Sequence, residues 1–394
     1  MQSVAEQVGS CFSMPVERES AEMKFDRDVS SIAFRGDLDM SVFSVQEKAF
    51  REIAGDIRKL NEIAYPYQKL EYISHSVYSI ADLVKSGSHV RFFVVSRDRE
   101  IVLIAPLRLP LGKGTAIVLG KNERYNMSDF LYNTSDCTLL SDAIFALLVY
   151  LKNELGRVSL TWWYLYEEAL SWKAIRKLCE DGRVSLLGQP EKVNNVQIPL
   201  KNDYETYYQG LSKHARQNIR TAYNRIERNG EKLQVHFYPL YSGDKEILNS
   251  AREANKAYSE IELKRLKSRY QLKGIRFFVK KVRVKLFNLG WANMPFSMTL
   301  FADVSINDEV AAYAKCFLDL VHQKITVPNL AIDIKYGFYS PGIVLVNELV
   351  RYCQNIDGVS YLSMGRGEET YKYEMGGEPY ITYKCEILLP SGTS

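Results

Sequence analysis

The chain of 394 residues is 46% apolar and 25% charged, and its formal net charge is +4. This composition is typical of a soluble globular protein. The small net charge gives no reason to expect that the chain binds nucleic acid or a membrane surface through its overall charge. Because the chain is long for one compact domain, two domains of similar size are expected.

The cysteines and histidines indicate neither a disulfide framework nor a metal site. The six cysteines are scattered without a Cys-x-x-Cys pair, and no two of the five histidines have the spacing of metal ligands. The sequence also has no basic-then-apolar leader and no apolar run of roughly 18 residues. We therefore predict a cytoplasmic protein of a reducing compartment, with no metal and no membrane span.

The first half of the sequence predicts an α/β domain. Residues 1–40 lack hydrophobic periodicity, which is typical of a flexible arm. Residues 45–60 have the pattern of a helix, and a second helix is predicted through residue 83. The next predicted elements are a β-hairpin over 89–111, a strand over 115–120, a helix over 141–155 with Ser141 as its N-cap, a strand over 157–165 and a helix over 167–182.

The second half of the sequence repeats this order of elements. The predicted elements are a strand over 194–200, one long helix over 204–228, a strand over 232–240, helical segments to residue 285, a hairpin around Asn307-Asp308, a strand over 325–336, a helix after Ser340, a strand over 359–364, a short helix over 368–374 and a strand over 379–388. The two halves therefore predict two tandem copies of one α/β design, each a mixed sheet flanked by helices. We expect domains at 41–190 and 191–394, because the stretch between them is polar and contains a proline.

The stretch "YGFYSPGIVLVNELVRYC", residues 336–353, combines a turn with an apolar helix. Ser340 offers a capping hydroxyl, Pro341 suits the first turn of a helix, and Gly342 lacks the Cβ that would keep a ligand from the backbone. The first turn of a helix leaves amide groups unpaired at the positive end of the helix dipole. The motif therefore indicates either a plain helix cap or a binding site for a pyrophosphate.

A basic helix is predicted in "LSKHARQNIRTAYNRIERNG", residues 211–230. Its apolar residues follow helical spacing and form a buried stripe. Basic side chains project from the other side, at Lys213, His214, Arg216, Arg220, Arg225 and Arg228. Such a row is either a solvated face or a surface that binds the phosphates of a cofactor or a nucleic acid.

The third motif is "YLSMGRGEETYKYEMGGEPY", residues 361–380. Its Gly-Arg-Gly turn follows a strand, and Glu368 and Tyr371 come within the next helical turn. A carboxylate and a phenol near a strand end can accept and donate protons, although an ion-paired turn has the same residues. Isolated carboxylates also occur in apolar, strand-like surroundings, at Asp303, Asp319 and Asp333. Burial there raises a carboxylate pKa, which suits either a general base or a structural network.

In their order and spacing, the three motifs resemble the GNAT-like acyltransferases of the CelD type. These enzymes are often found beside polysaccharide-synthesis enzymes and are related to the FemAB proteins of the peptidoglycan bridge. The stretches "YPYQKLEY", "IAPLRL" and "MSDFLY" extend the resemblance into the first half, so that it covers roughly residues 42–388. The resemblance implies two GNAT-like domains in tandem, with acyl-CoA as the donor.

The resemblance also implies roles for individual residues. A pyrophosphate is expected on the helix that follows a splayed central strand, and the matching positions are Tyr339, Ser340, Pro341, Gly342 and Ile343. The chain departs from the common GNAT pattern Gln/Arg-x-x-Gly-x-Gly/Ala because it has one glycine and no leading Gln or Arg. Direct transfer from the thioester to an amine would use Asp333 or Glu368 as the base and Tyr371 as the acid. Arg216 and Arg220 are expected to bind phosphates or an acidic acceptor.

The function implied by the resemblance is N-acylation of an amino sugar or a related amine in polysaccharide or cell-envelope synthesis. A Fem-like transferase that uses aminoacyl-tRNA is one alternative, in which the basic helix would contact RNA. A non-catalytic GNAT-fold subunit of a polysaccharide-synthesis complex is the other. Binding of nucleic acid is expected under the first alternative and not otherwise.

Overall fold

The computed structural model describes residues 42–60, 70, 73–74, 89–110, 114–119, 129–201, 203–270, 274, 277–279, 281–282, 284–285 and 298–390. The predicted N-terminal arm lies outside the described residues. The predicted second helix through residue 83 lies outside them as well, apart from residues 70, 73 and 74. The described residues from 42 to 390 belong to one compact unit.

The N-terminal half, up to residue 190, alternates strands with helices as predicted. Its elements are β1 (Phe43–Lys48), α1 (Phe50–Lys59), β2 (Val90–Arg97), β3 (Glu100–Arg108), β4 (Thr115–Val118), β5 (Leu131–Tyr132), α2 (Cys137–Leu155), β6 (Ser159–Tyr166), α3 (Leu170–Glu180) and β7 (Ser185–Leu186). The hairpin β2–β3 turns at Asp98 and Arg99, whose φ angles are both positive. Two positive φ angles match the right-handed twist of hairpin strands.

The C-terminal half has the same order of elements after its first strands and helices. Its elements are β8 (Glu191–Pro199), α4 (Tyr204–Gly210), α5 (Lys213–Arg228), β9 (Leu233–Pro239), α6 (Lys245–Tyr270), β10 (Thr299–Ile306), β11 (Glu309–Asp319), β12 (Lys324–Ile332), α7 (Pro341–Cys353), β13 (Tyr361–Arg366), α8 (Thr370–Glu374) and β14 (Glu378–Leu388), with 3₁₀ turns at Leu240–Ser242 and Ile334–Tyr339. The predicted hairpin turn at Asn307 and Asp308 is confirmed, with φ angles of 52° and 63°.

The described strands form one mixed sheet. Its order is β1-β2-β3-β4-β6-β14-β8-β13-β12-β11-β10-β9, with β5 paired to β3 and β7 paired to β14. Two pairs are parallel, β4 with β6 and β12 with β13. Each pair is connected by a crossover helix, α2 in the first and α7 in the second, as parallel pairing requires. The last strand, β14, pairs with both β6 and β8 and so joins the halves of the sheet.

Helices cover both faces of the C-terminal part of the sheet. Leu300 and Ala302 pack in one apolar cluster with residues of α5 and α7. Phe301, between them in β10, packs in another cluster with Tyr258 and Ile261 of α6. Because side chains alternate along a strand, α6 lies on the face opposite to α5 and α7.

Two predicted helix starts are wrong. Residues 45–48 belong to β1, which pairs with β2, so the helix predicted over 45–60 begins at Phe50. Pairing with a neighbouring strand overrides the local helical pattern there. The helix predicted from Ser141 begins at Cys137, because the Asp136 carboxylate accepts hydrogen bonds from two amides of its first turn. Ser141 is buried inside α2.

The single helix predicted over 204–228 is two helices. Leu211 is extended, and the Ser212 hydroxyl accepts a hydrogen bond of 3.1 Å from the amide of Ala215 to begin α5. The Arg216 guanidinium donates to the carbonyls of Gln209 (2.7 Å) and Leu211. Arg216 therefore stabilises the end of α4, since the last carbonyls of a helix have no partner inside it.

Candidate active site

The parallel strands β12 and β13 pair over three residues and then part. The paired residues begin at Lys324 with Tyr361 and end at Thr326 with Ser363. Beyond this point β12 continues beside β11, and β13 continues beside β8. A β-bulge after Ser363 accompanies the separation, and Gly365 in it has a φ of 67°. That left-handed conformation favours glycine, and bulges are common beside functional sites.

A cleft of about 350 Å³ opens where β12 and β13 part. Its lining residues come from β6, β8, β12, β13, β14 and the turn after β13. They are Tyr164, Asn195, Thr326, Val327, Pro328, Met364, Gly365, Arg366, Gly367, Tyr380 and Thr382. A volume of this size lies within the usual range for sites that bind small molecules.

One hydroxyl in the lining of the cleft has no partner among the described residues. Thr326 is 7% exposed, and no described group hydrogen-bonds its Oγ1. Other polar groups of the lining are paired, since Asn195 donates to the Thr382 hydroxyl (3.0 Å) and the Tyr380 hydroxyl lies 2.9 Å from that of Ser363. A buried hydroxyl without a partner costs about 1–3 kcal/mol. The polar group of a bound ligand would relieve that cost at Thr326.

The rim of the cleft combines an arginine and a tyrosine. The Arg366 guanidinium lies 4.5 Å from the centre of the Tyr164 ring and donates to the Tyr164 hydroxyl. Tyr164 has a φ of 63°, which is rare for a bulky residue and is often found at functional sites. The turn that carries Arg366 is held by the buried Lys372, whose Nζ donates to the carbonyls of Arg366 (2.7 Å) and Gly367 (3.1 Å).

Tyr380 is an ionisable residue of the cleft lining, and Lys324 is a second ionisable residue beside its ring. Burial raises the pKa of Tyr380 to about 12, so its phenol keeps its proton at neutral pH. Lys324 is 5% exposed, and its Nζ lies 4.2 Å from the centre of the Tyr380 ring and 4.6 Å from that of Tyr166. Burial lowers the pKa of Lys324, while nearby carboxylates act in the opposite direction. The cleft lining at Tyr380 is therefore aromatic and close to the Lys324 amine.

The helix α7 begins close to the end of β12. Ser340 is left-handed, with a φ of 53°, and its side chain does not cap α7. The amide of Ser340 donates to Gly337 and that of Ile343 donates to Ser340. Pro341 has no amide hydrogen, so the Gly342 amide is the donor of this turn that no described residue accepts. A Cβ at Gly342 would lie 3.2 Å from a methyl group of Ile332.

Arg225 is the basic residue of α5 that contacts the turn before α7. Its guanidinium donates to the carbonyl of Phe338 (2.8 Å) and lies 4.9 Å from the centre of the Phe338 ring. The two arginines predicted for donor binding are placed differently. Arg216 caps α4, and Arg220 is exposed and donates to Gln217 within α5. The Tyr339 hydroxyl donates to Glu231 (3.0 Å).

None of the three predicted catalytic residues is in the lining of the cleft. Asp333 is buried at the end of β12, where it accepts hydrogen bonds from Lys264 (2.7 Å) and from the amide of Lys335. Glu368 is exposed and accepts from Tyr373 (3.3 Å). Tyr371 is half-buried against the C-terminal core, and burial raises its pKa to about 12.

The other two isolated carboxylates belong to buried networks with histidines. Asp303 lies 2.9 Å from His236 Nδ1 and accepts from the Tyr258 hydroxyl (2.8 Å). Asp319 lies 2.8 Å from His322 Nδ1. These contacts are those of structural networks, as one of the sequence interpretations proposed.

Sequence reasoning did not identify the cleft residues Tyr164, Asn195, Thr326, Tyr380 and Thr382. A usable signal was present, because Asn195 and Thr326 are polar residues inside the predicted strands over 194–200 and 325–336. Arg366 stood inside the third motif, but no role was predicted for it.

Comparison with known families identifies the domain that contains most of this site. Residues 213–373 match the sequence profile of the acetyltransferase (GNAT) domain. This range includes β12, α7, β13 and the Arg366 turn, so this part of the chain is similar to the GNAT domain, as predicted. No curated protein matches the sequence. The CelD type within the family is not identified by the match.

Several solved structures have a similar fold. FemX aligns with 87% of this chain and 96% of its own length, at 11% identity and a TM-score of 0.54. A conserved protein of unknown function from Bacteroides thetaiotaomicron VPI-5482 aligns with 88% of this chain and 99% of its own, at 10% identity and a TM-score of 0.52. A tandem GNAT protein from the clavulanic acid biosynthesis pathway aligns with 89% of this chain and 100% of its own, at 12% identity and a TM-score of 0.49.

Together these results confirm the predicted α/β fold, a mixed sheet flanked by helices with a GNAT-like domain over residues 213–373. The domain bounds at residues 41–190 and 191–394 stay a prediction. In the part of the chain that is described, no helix is both long and apolar enough to cross a membrane. Within the same residues, no group of three or more His, Cys, Asp or Glu side chains could hold a metal ion.

Proposed function

We propose that this GNAT-fold acyltransferase transfers an acyl group, acetyl in the first instance, from acyl-CoA to the amine of an amino sugar or a related acceptor. The observation that carries the proposal is the separation of β12 and β13, with the Thr326 hydroxyl unsatisfied inside the cleft that it opens. The resemblance to CelD-type acyltransferases supports an acceptor used in polysaccharide or cell-envelope synthesis. The cell compartment is proposed to be the cytoplasm, where acyl-CoA is available.

The edge of β12 beyond Thr326 supports binding of an extended donor. Residues 329–332 pair with β11 on one side, while beyond Ser363 the strand β13 pairs with β8 and no longer with β12. Backbone groups on an unpaired strand edge can hydrogen-bond an extended arm such as pantetheine. We propose that the pyrophosphate binds at Ser340 and Gly342, with Arg225 contributing positive charge nearby. Donor contacts by Tyr339, Ile343, Arg216 and Arg220 stay predictions.

In the proposed reaction the amine nitrogen attacks the thioester carbonyl, a C–N bond forms and the C–S bond breaks. The departing thiolate takes a proton, and the Tyr380 phenol in the lining of the cleft is a group that can donate one. Among the described residues, the lining of the cleft contains no carboxylate. The proton of the amine therefore leaves to water, either directly or through Asp333 or Glu368, the predicted bases that lie outside the lining. An acid role for Tyr371 also stays a prediction.

An aminoacyl-tRNA-dependent transferase is the second candidate, and one observation favours it. Lys213, Arg220 and Arg228 are exposed along α5 and could contact phosphates of an RNA. Binding of RNA through such contacts would weaken steeply as salt rises. A non-catalytic subunit of a polysaccharide-synthesis complex, the third candidate, would bind neither acyl-CoA nor tRNA.

The proposal is tested by titrating the full chain with CoA and acetyl-CoA and by following thiol release with glucosamine as acceptor. We expect saturable binding, and a melting temperature that rises with ligand concentration because the ligand binds the native state. Absence of binding by CoA, acetyl-CoA and longer acyl-CoA would overturn the proposal. Salt-sensitive binding of bulk tRNA in that case would favour the second candidate.

A further inference from the structure

The strand β8 places one asparagine in the lining of the cleft. Asn195 is 5% exposed and lies inside the sheet, with β13 on one side of its strand and β14 on the other. Asparagine is depleted in strands, and a buried carboxamide costs free energy where its polar atoms are not paired. The partners of its two polar atoms therefore decide what Asn195 can do in the cleft.

The orientation of this carboxamide is fixed through its amide nitrogen. Nδ2 donates to the carbonyl of Val193 (2.9 Å) and to the Thr382 hydroxyl (3.0 Å), so both amide hydrogens have an acceptor. A flip of the carboxamide would place Oδ1 against the Val193 carbonyl, and two acceptors cannot pair. The side-chain hydrogen bonds between Asn195 and other described residues all involve Nδ2. Among those residues, Oδ1 is therefore an acceptor without a donor.

Two groups of the lining are thus suited to a partner in a ligand. Asn195 Oδ1 belongs to β8 and the Thr326 hydroxyl to β12, with β13 between the two strands. A carboxamide oxygen only accepts hydrogen bonds, whereas a hydroxyl donates or accepts. A ligand that satisfies both groups carries an N–H or O–H beside Asn195 and a second polar group beside Thr326. An amino sugar has both kinds of group, and a hydrocarbon chain has neither.

We propose that the Asn195 carboxamide oxygen accepts a hydrogen bond from the amine of the acceptor, so that Asn195 selects an acceptor whose reacting group is a hydrogen-bond donor. This inference rests on the proposed function for the identity of the acceptor. A neutral carboxamide oxygen binds one N–H and does not take its proton, so the lone pair of the neutral amine stays available for attack on the thioester. Thr382 is a positioning residue, because its hydroxyl holds the carboxamide in this orientation.

The test compares three sugars that differ in one substituent. Glucosamine has an amine on the carbon beside the anomeric centre, glucose has a hydroxyl there, and 2-deoxyglucose has only hydrogen. Binding of each sugar to the full chain is measured calorimetrically without donor, and binding of acetyl-CoA is measured separately. The variants are Asn195→Leu, Thr382→Val and Thr382→Ser. The control is Asn194→Leu, because Asn194 is exposed and its side chain lies on the other face of β8.

We expect glucosamine and glucose to bind the wild type about tenfold more tightly than 2-deoxyglucose, because the sugar without a donor leaves the Asn195 oxygen unpaired. Asn195→Leu should remove this difference and leave acetyl-CoA binding unchanged. Thr382→Val should reduce the difference, since one amide hydrogen loses its acceptor and the carboxamide can turn, and Thr382→Ser should keep it. Asn194→Leu should behave as the wild type.

Three results would overturn the inference: no binding of any of the three sugars, equal binding of all three by the wild type, or a difference that survives Asn195→Leu. The two Thr382 variants keep Asn195 in place, so they test the inference even where Asn195→Leu does not fold. Equal losses in Thr382→Val and Thr382→Ser would overturn the role of the Thr382 hydroxyl.

Failure of the acyl-CoA donor is a separate result. A chain that distinguishes the sugars through Asn195 but does not bind acetyl-CoA supports the inference and overturns the proposed donor. A chain that binds acetyl-CoA and acylates glucosamine, while all three sugars bind equally, supports the donor and overturns the inference.

Discussion

The two parallel strand pairs of the sheet have the same pairing register, but the side chains beside them differ. In β4 and β6, Thr115, Ala116 and Ile117 pair with the first three residues of the partner strand, as Lys324, Ile325 and Thr326 do in β12 and β13. Each pair has a crossover helix. Counting from the start of pairing, Ile117 corresponds to Thr326, so an apolar side chain in the first half matches the hydroxyl that lines the cleft in the second.

The space beside β4 and β6 is filled by aromatic side chains. Trp162, the residue that follows the paired segment of β6, is fully buried and packs edge-on against Phe130, with ring centres 5.1 Å apart. The corresponding segment of β13 continues into a bulge with two glycines around Arg366. The same topology therefore gives a packed core in one half and a cleft in the other. The backbone design permits a site, but the side chains decide whether one exists.

The first prediction fills the cleft of the second half in the way that the first half is filled. We expect Thr326→Trp to lose acyl transfer to the limit of detection, because an indole would occupy the space proposed for the thioester and the amine. The melting temperature should change little, since the side chain extends into the cleft. Thiol release and circular dichroism during heating measure the two effects.

Thr326→Val is the matched control for that variant. It removes the hydroxyl and keeps the volume, so it should keep measurable transfer with weaker binding of the ligand that the hydroxyl contacts, and gain stability of about 1 kcal/mol if the hydroxyl has no partner without ligand. Transfer that continues in the tryptophan variant would show that the chemistry occurs elsewhere, and the contrast between the two halves would then have no functional meaning.

Much of this fold could be predicted from local sequence patterns, because the structure has the elements that those patterns indicate. The β10–β11 hairpin alternates apolar and polar residues around Asn307-Asp308, a turn pair that tolerates positive φ angles. β1 could not be predicted in this way. Its residues fit a helix when considered alone, and their pairing with β2 depends on a partner more than 40 positions away. Register between distant strands is not encoded in any short window.

The candidate site was less predictable for the same reason. The third motif and the helix start were identified because their residues are adjacent in sequence. The cleft instead combines Tyr164, Asn195, Thr326 and Tyr380, which come from four strands spread over more than 200 positions. The basic helix is an intermediate case, since its row of charges was predicted but the capping role of Arg216 depends on the unpredicted break at Leu211.

The second prediction concerns buried carboxyl groups, which also differ between the halves. In the C-terminal half Asp303, Asp319 and Asp333 each contact a histidine or a lysine. Asp129 in the N-terminal half is 1% exposed, accepts from the amide of Phe130, and has one oxygen without a partner among the described residues. Burial raises its pKa from 3.8 to about 7.

Between pH 4 and pH 7 the unfolded chain has lost the Asp129 proton while the folded chain keeps it. The free energy of unfolding should therefore fall as pH rises through this window, by up to about 1.4 kcal/mol per unit. Asp129→Asn should remove this slope and be more stable than wild type by about 4 kcal/mol at pH 8, with no gain at pH 4. Urea unfolding at both pH values measures it, with Asp98→Asn in the exposed β2–β3 turn as control. Parallel pH profiles in wild type and Asp129→Asn would contradict the prediction.

The third prediction, the smallest, compares the starts of the two crossover helices. The Asp136 carboxylate accepts from the amides of Thr138 (2.8 Å) and Leu139 at the start of α2, so that helix contains its own anion. Ser340 provides no such cap at the start of α7, where the ligand phosphate is proposed to bind the Gly342 amide. We expect Ser340→Asp to weaken CoA binding about two- to fivefold, because a carboxylate there competes with the pyrophosphate for the helix dipole.

Ser340→Asn is the control for charge at Ser340, since asparagine has the same shape and tolerates the left-handed backbone. It should bind CoA as tightly as the wild type does. The loss in Ser340→Asp should diminish at high salt, because screening weakens the repulsion between exposed charges. Calorimetric titration at low and high salt tests both points. Equal affinities of the aspartate and asparagine variants at low salt would mean that the pyrophosphate binds away from α7. The missing cap at Ser340 would then be a difference between the two helices that has no role in donor binding.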